Sequence, residues 1–134
     1  MAKISGPVMD RIDIHIRVNS VKFEELRCNE KKESSESIRE RVNKARKIQL
    51  ERFKNDKIFS NGQMNSSHIR KYCRLGANEE ALLKKAFEKY KLSARAYDKI
   101  LKLARTIADI DGCADINVSH IAEAISYRCL DKEM

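Results

Sequence analysis

A serine at 93, followed two residues later by Arg95, opens a helical pattern that could bind an anion. Ser93 suits an N-cap, where its hydroxyl satisfies one of the early backbone N–H groups. Those N–H groups carry the positive end of the helix dipole, so a guanidinium in the same turn is disfavoured unless something negative answers both. Free N–H groups plus a guanidinium form a natural receptor for phosphate. By spacing alone, a solvated surface arginine is the simpler reading of Arg95. A second cationic set, Arg39, Arg41, Lys44, Arg46, Lys47, Arg52 and Lys54, is set against Glu40 and Glu51 along 34–54. A solvated face is the default there, but the imbalance suits a nucleic-acid or phosphate contact.

The elements that must position these cations are helical. Over 92–112, Tyr97, Ile100, Leu101, Ala104, Ile107 and Ala108 form one apolar stripe, Gly112 offers a permissive stop, and Asp109 and Asp111 mark a polar helix end. Over 34–54, serines at 34, 35 and 37 offer caps, and Ile38, Val42, Ala45, Gln49 and Phe53 trace the inner stripe. Residues 55–65 form a loop with Ile58, Phe59 and Met64 tucked beneath it. Ser66 or Ser67 then caps a short helix that Gly76 ends. A helix opening at Asn78 carries Leu82, Leu83, Ala86, Phe87 and Tyr90, and its short connection predicts antiparallel pairing with the next helix. The last helix places Ile121, Ala122, Ala124, Ile125 and Leu130 inward.

The N-terminal region reads differently. Ser5-Gly6-Pro7 suggests a loop, and Ile12, Ile14, Ile16 and Val18 then alternate with Asp13, His15 and Arg17, a strand pattern. A lone strand cannot bury its apolar face, so the chain is expected to begin inside a larger domain. The connector over 19–33 ends in the charged run Asn29-Glu30-Lys31-Lys32-Glu33.

With 134 residues, one domain or a domain plus a piece of another is expected. The net charge of +8 and pI near 9.4 point to an anionic partner without choosing one. Cys28, Cys73, Cys113 and Cys129 show no metal-site spacing, and His15, His68 and His120 are scattered, so no metal site is expected and the thiols read as free in a reducing cytoplasm. No apolar run approaches a membrane span or an N-terminal export signal.

Two stretches carry a family resemblance. SARAYDKILKLARTIADIDG is similar to the second-sensor helix of AAA+ ATPases in the magnesium-chelatase-like ComM/YifB group, and GPVMDRIDIHI resembles the end of that family's AAA+ core. The resemblance implies that Arg95 is the sensor arginine reaching the γ-phosphate of ATP. It also implies that Arg11, otherwise an ordinary strand-edge arginine near Asp10 and Asp13, is an arginine finger acting in the neighbouring subunit's site. The expected architecture is a mainly α lid-type bundle of about four to five helices (31–134), preceded by one β-strand left over from an α/β core (1–30).

The implied whole is a ring-forming, hexameric ATPase using ATP with magnesium. Its partners would be the missing N-terminal AAA+ core, the neighbouring subunits and DNA; the family includes a competence-related branch-migration helicase. Tetrapyrrole chemistry is not expected. No GxxxxGK[ST] is present, because glycines stand only at 6, 62, 76 and 112, so this chain alone should neither hold ATP tightly nor hydrolyse it. The alternatives are a free-standing nucleic-acid-binding helical domain using Arg39, Arg41, Lys44, Arg46 and Lys47, or a helical protein-interaction module.

Overall fold

The computed structural model describes residues 5–27 and 32–128. Cys28, Cys129, Leu130 and the 29–31 part of the charged connector lie outside them. Seven α-helices and one 3₁₀ turn follow in chain order among the described residues: α1 Gly6–Arg11, α2 Phe23–Leu26, α3 Ser35–Arg52, the turn Asn61–Gln63, α4 Ser66–Tyr72, α5 Ala77–Tyr90, α6 Ala94–Ile110 and α7 Val118–Arg128. The mainly helical bundle is as expected, and α3–α7 build it.

Helix α6 is the axle. Its Ile100, Ala104 and Ala108 are wholly buried, and α7, α3, α4 and the 3₁₀ turn all pack on it. Alanine at 104 and 108 of α6, with Ala124 on α7, lets helix backbones approach closely, so α6 and α7 share the most extensive contact. Leu83 and Ala86 of α5 complete that core with Ile121 and Ile125 of α7. The expected α5–α6 hairpin is not the main pairing. Lys91, left-handed at φ 50°, turns the chain so that α5 lies chiefly on α7 and meets α6 at the Phe87–Tyr97 edge-to-face contact, 6.1 Å between centroids.

Several helix starts differ from the sequence expectation for local reasons. Ser5 caps α1 and Pro7 occupies its first turn, where a missing N–H costs nothing, so 5–7 begins a helix rather than a loop. Asn65, not a serine, caps α4: its side chain accepts from the His68 N–H at 3.0 Å while His68 Nδ1 accepts from the Asn65 N–H at 3.1 Å. Gly76 caps α5 instead of ending α4, which closes at Cys73. In the 55–65 loop Met64 is buried, but Phe59 stands exposed.

The expected β-strand is absent among the described residues. Residues 12–22 run without a ladder, because a strand needs a neighbouring backbone edge and none of the described residues offers one. The His15 N–H donates to the Tyr127 carbonyl at 2.6 Å, a backbone bond to α7. The alternation is inverted relative to burial: His15 is buried while Ile14, Ile16 and Val18 are 48%, 63% and 81% exposed. On α3 the inner stripe is packed only in its second half, at Ala45, Gln49 and Phe53, while Ile38 and Val42 lie beyond the bundle and stay exposed.

Two polar residues are corrected from surface to interior. Arg52 does not belong to the outer basic face; its guanidinium reaches Asp109 with Nη1···Oδ2 at 2.8 Å and Nη2···Oδ1 at 2.5 Å. Asp109 is not a solvated helix end, since its carboxylate is fully buried. It also accepts from Arg105 Nε at 3.2 Å and Asn61 Nδ2 at 2.9 Å. Arg105 in turn donates to the Ala114 and Cys113 carbonyls at 2.9 and 2.8 Å, tying the α6–α7 loop to the same centre.

Removing one member of a buried, hydrogen-bonded charge cluster leaves its partners uncompensated, at a cost of about 3–5 kcal/mol. Asp109→Asn is therefore expected to lower the thermal midpoint by on the order of 10 °C. A calorimetric or circular-dichroism melt within a degree or two of the parent would contradict the cluster's structural role.

Candidate functional site

The first turn of α6 is held from both sides. Ser93 Oγ accepts from the Ala96 N–H at 3.1 Å, while Leu92 before it and Ala96 after it are buried. Arg95 is exposed, and among the described residues no hydrogen bond or ion pair engages its guanidinium. Beside this turn lies a cleft of about 460 Å³ walled by Leu83, Phe87, Ala94 and Tyr97, with Lys84 and Glu80 at its rim. A free guanidinium over the positive end of a 17-residue helix fits a polyanion such as a nucleotide phosphate.

Arg11 comes from the other end of the chain. It is the last residue of α1, also exposed and also without a described partner. The structure brings its segment to the same helix start: the Ser93 hydroxyl donates to Asp10 Oδ2 at 3.3 Å, and Lys99 of α6 pairs with Asp13. Asp10 and Asp13, the neighbours that could have paired with Arg11, therefore both engage α6 instead. Arg128 of α7 reaches back to the same segment, donating to the Asp10 carbonyl at 3.2 Å and to the Ile12 carbonyl. This convergence had no periodic signal, because Arg128 sits at the end of a helix and its acceptors are backbone atoms.

The basic face of α3 forms a separate region. Arg39, Arg41, Lys44, Arg46 and Lys47 are all exposed. Arg41 pairs with Glu33 at 2.6 Å, a surface contact of small energetic consequence. Arg46 also lines a groove with Val42, Leu50, Phe59 and Ile110.

Other chemistry is poorly provided for. Among the described residues no group of three or more His, Cys, Asp or Glu side chains could hold a metal ion. Burial pushes the Cys73 thiol from 9.0 up to about 11, so it is protonated and unreactive at neutral pH. His120 Nδ1 accepts from the Asn117 N–H at 2.9 Å and its Nε2 meets Asp111 at 2.9 Å, a local helix-start role. No described helix is long and apolar enough to cross a membrane.

Against known families, a model described as "Magnesium chelatase, subunit ChlI C-terminal" matches residues 32–128. The chain belongs to that family. Similar proteins include "Competence protein ComM" of Haemophilus influenzae, 41% identical over 129 residues covering 96% of this chain and 25% of the relative. "Uncharacterized protein YifB" of Escherichia coli is 35% identical over 131 residues, covering 97% of this chain and 25% of that protein. "Uncharacterized protein Rv2897c" of Mycobacterium tuberculosis is 26% identical over 128 residues, with 96% and 25% covered. The chain thus corresponds to the magnesium-chelatase-like ComM/YifB C-terminal region and spans about a quarter of the length of these curated relatives.

Proposed function

We propose that this chain is the nucleotide-responsive lid of a ring-forming AAA+ ATPase, contributing Arg95 to its own subunit's ATP site and Arg11 to its neighbour's. The carrying observation is the unpaired Arg95 guanidinium at the capped start of α6, with the Arg11 segment fastened to that same start through Asp10 and Ser93. The family match from residue 32 onward supports a division near residue 30, between the end of a core and the lid.

The Ile12–Val18 alternation, apolar side outward here, supports that segment pairing as a strand with an N-terminal core. On this reading the whole protein is a cytoplasmic homo-hexamer. ATP with magnesium, when bound, supplies the phosphoryl group for transfer to water. Arg95 orients the terminal phosphate by bidentate donation, and Arg11 places a second fixed positive charge where negative charge develops on the phosphoryl oxygens. The metal would be held by the phosphates and by the N-terminal core.

In the whole protein, Arg11→Ala is expected to lower turnover on the order of 10³-fold. Arg95→Ala should lower it about 100-fold, with either fold intact. Because one arginine acts in trans and the other in cis, mixing the two inactive variants should restore part of the activity, at interfaces where both residues are present. Wild-type turnover in either single variant would remove its assignment.

The exposed cations of α3 favour an additional role in holding DNA that the ring remodels; a DNA-binding module working without any ATPase is the rival form of this reading. Replacing Arg39, Lys44 and Lys47 together by Glu should weaken binding of duplex DNA and flatten its salt dependence by roughly 0.9 in slope for each phosphate no longer neutralised. An unchanged slope would take α3 out of the DNA interface.

A further inference from the structure

We infer that Arg128 is a positioning residue for Arg11, and that with Asp10 it couples the Arg11 segment to the lid helix carrying Arg95. The inference rests on the roles proposed above for those two arginines, and deepens them by naming the connection between the two sites.

The geometry is specific. The Arg128 guanidinium donates to the carbonyls of Asp10 and Ile12, the residues on either side of Arg11, so it clamps the backbone from which Arg11 projects. Asp10, in the same turn, accepts from Ser93, the cap of the helix that bears Arg95 two residues later. Arg128 is 4% exposed, at the end of α7, and α7 shares its widest contact with α6. Two routes therefore lead from α6 to Arg11, one through α7 and Arg128, the other through Ser93 and Asp10.

Other contacts also hold the segment: the His15 N–H donates to the Tyr127 carbonyl at 2.6 Å, and Met9 is buried. Its apolar side chains Ile16 and Val18 face solvent and Ile14 is half-exposed, so burial fastens it chiefly at Met9 and His15. His15 is buried with its Nε2 against the Met9 carbonyl at 3.1 Å, but among the described residues neither its Nδ1 nor Arg128 Nε has a hydrogen-bond partner. Buried polar atoms without partners oppose docking. In the Lys99–Asp13 pair the Asp13 carboxylate is largely exposed, where ion pairs contribute weakly. Next to these contacts Arg128 supplies the charged donor, and hydrogen bonds from charged groups are the stronger class. A lid movement that shifts α6 and α7 when Arg95 engages phosphate would move Arg11 with it, so the state of one nucleotide site reaches the next through this clamp.

The test uses the whole protein with Arg128→Gln, Arg128→Lys and Asp10→Ala. Hydrogen exchange followed by mass spectrometry should show reduced protection over 8–18 in Arg128→Gln while α5 and α6 stay protected. ATP turnover should fall about tenfold at unchanged KM, with Arg128→Lys and Asp10→Ala intermediate. Reduced protection with full turnover would overturn the coupling, and retained protection over 8–18 would overturn the clamp. If Arg128→Gln fails to fold, the half-buried Asp10→Ala and the Arg128→Lys variants decide: full turnover in Asp10→Ala overturns the Ser93–Asp10 route, and full turnover in Arg128→Lys as well overturns the coupling. Failure of the underlying reading looks different, because Arg11→Ala would then itself turn over at the wild-type rate.

Discussion

A single carboxylate, Asp109, organises this domain. It is fully buried, and a lone charge there would be prohibitive. Arg52 from α3, Arg105 one turn earlier on α6 and Asn61 from the 3₁₀ turn all donate to it. Asn61 also reaches Thr106 and, through its backbone N–H, Gln49. These groups come from α3, the 3₁₀ turn and α6, so satisfying one charge fixes the approach of α3 to α6, the path of the 55–65 loop and, through Arg105, the exit of the chain towards α7. Replacing the cluster with apolar residues need not weaken the fold. What it confers is one arrangement of the helices, and the long helix α6 is thereby anchored at its C-terminal end.

That anchoring matters because the other end of α6 bears Arg95. A helix is stiff, so fixing its far end and burying its middle leaves the first turn presented at a definite place on the bundle surface. The same turn receives the Arg11 segment through Ser93 and Asp10. The fold thus brings the Arg11 segment to the helix start that bears Arg95, and among the described residues neither guanidinium is paired. Uncompensated positive charge at a helix N-terminus is unfavourable in isolation, and a phosphate ligand relieves it.

How much of this could be read from the sequence depends on which forces left a period. The α6 stripe was legible because Ile100, Leu101, Ala104 and Ala108 all face the core, and the mainly helical architecture followed from similar stripes on the other helices. The buried cluster was legible in principle: Arg105 and Asp109 stand four and eight residues after Leu101, on the same buried face, but charged residues there look like a polar helix end. Arg52 was misplaced for the same reason, its position beside the inward stripe of α3 being masked by the basic residues around it. The Ile12–Val18 alternation was real but does not produce a strand here, because pairing depends on an edge that no described residue offers. The Arg128 clamp left no pattern at all, since its acceptors are carbonyls.

The most direct test of the central claim is a structure of the whole assembly with a non-hydrolysable ATP analogue. The account predicts the Arg95 guanidinium within hydrogen-bond distance of the γ-phosphate in its own subunit, and that of Arg11 at the γ-phosphate bound next door. Both guanidiniums remote from any phosphate, with the nucleotide held wholly by other residues, would contradict it.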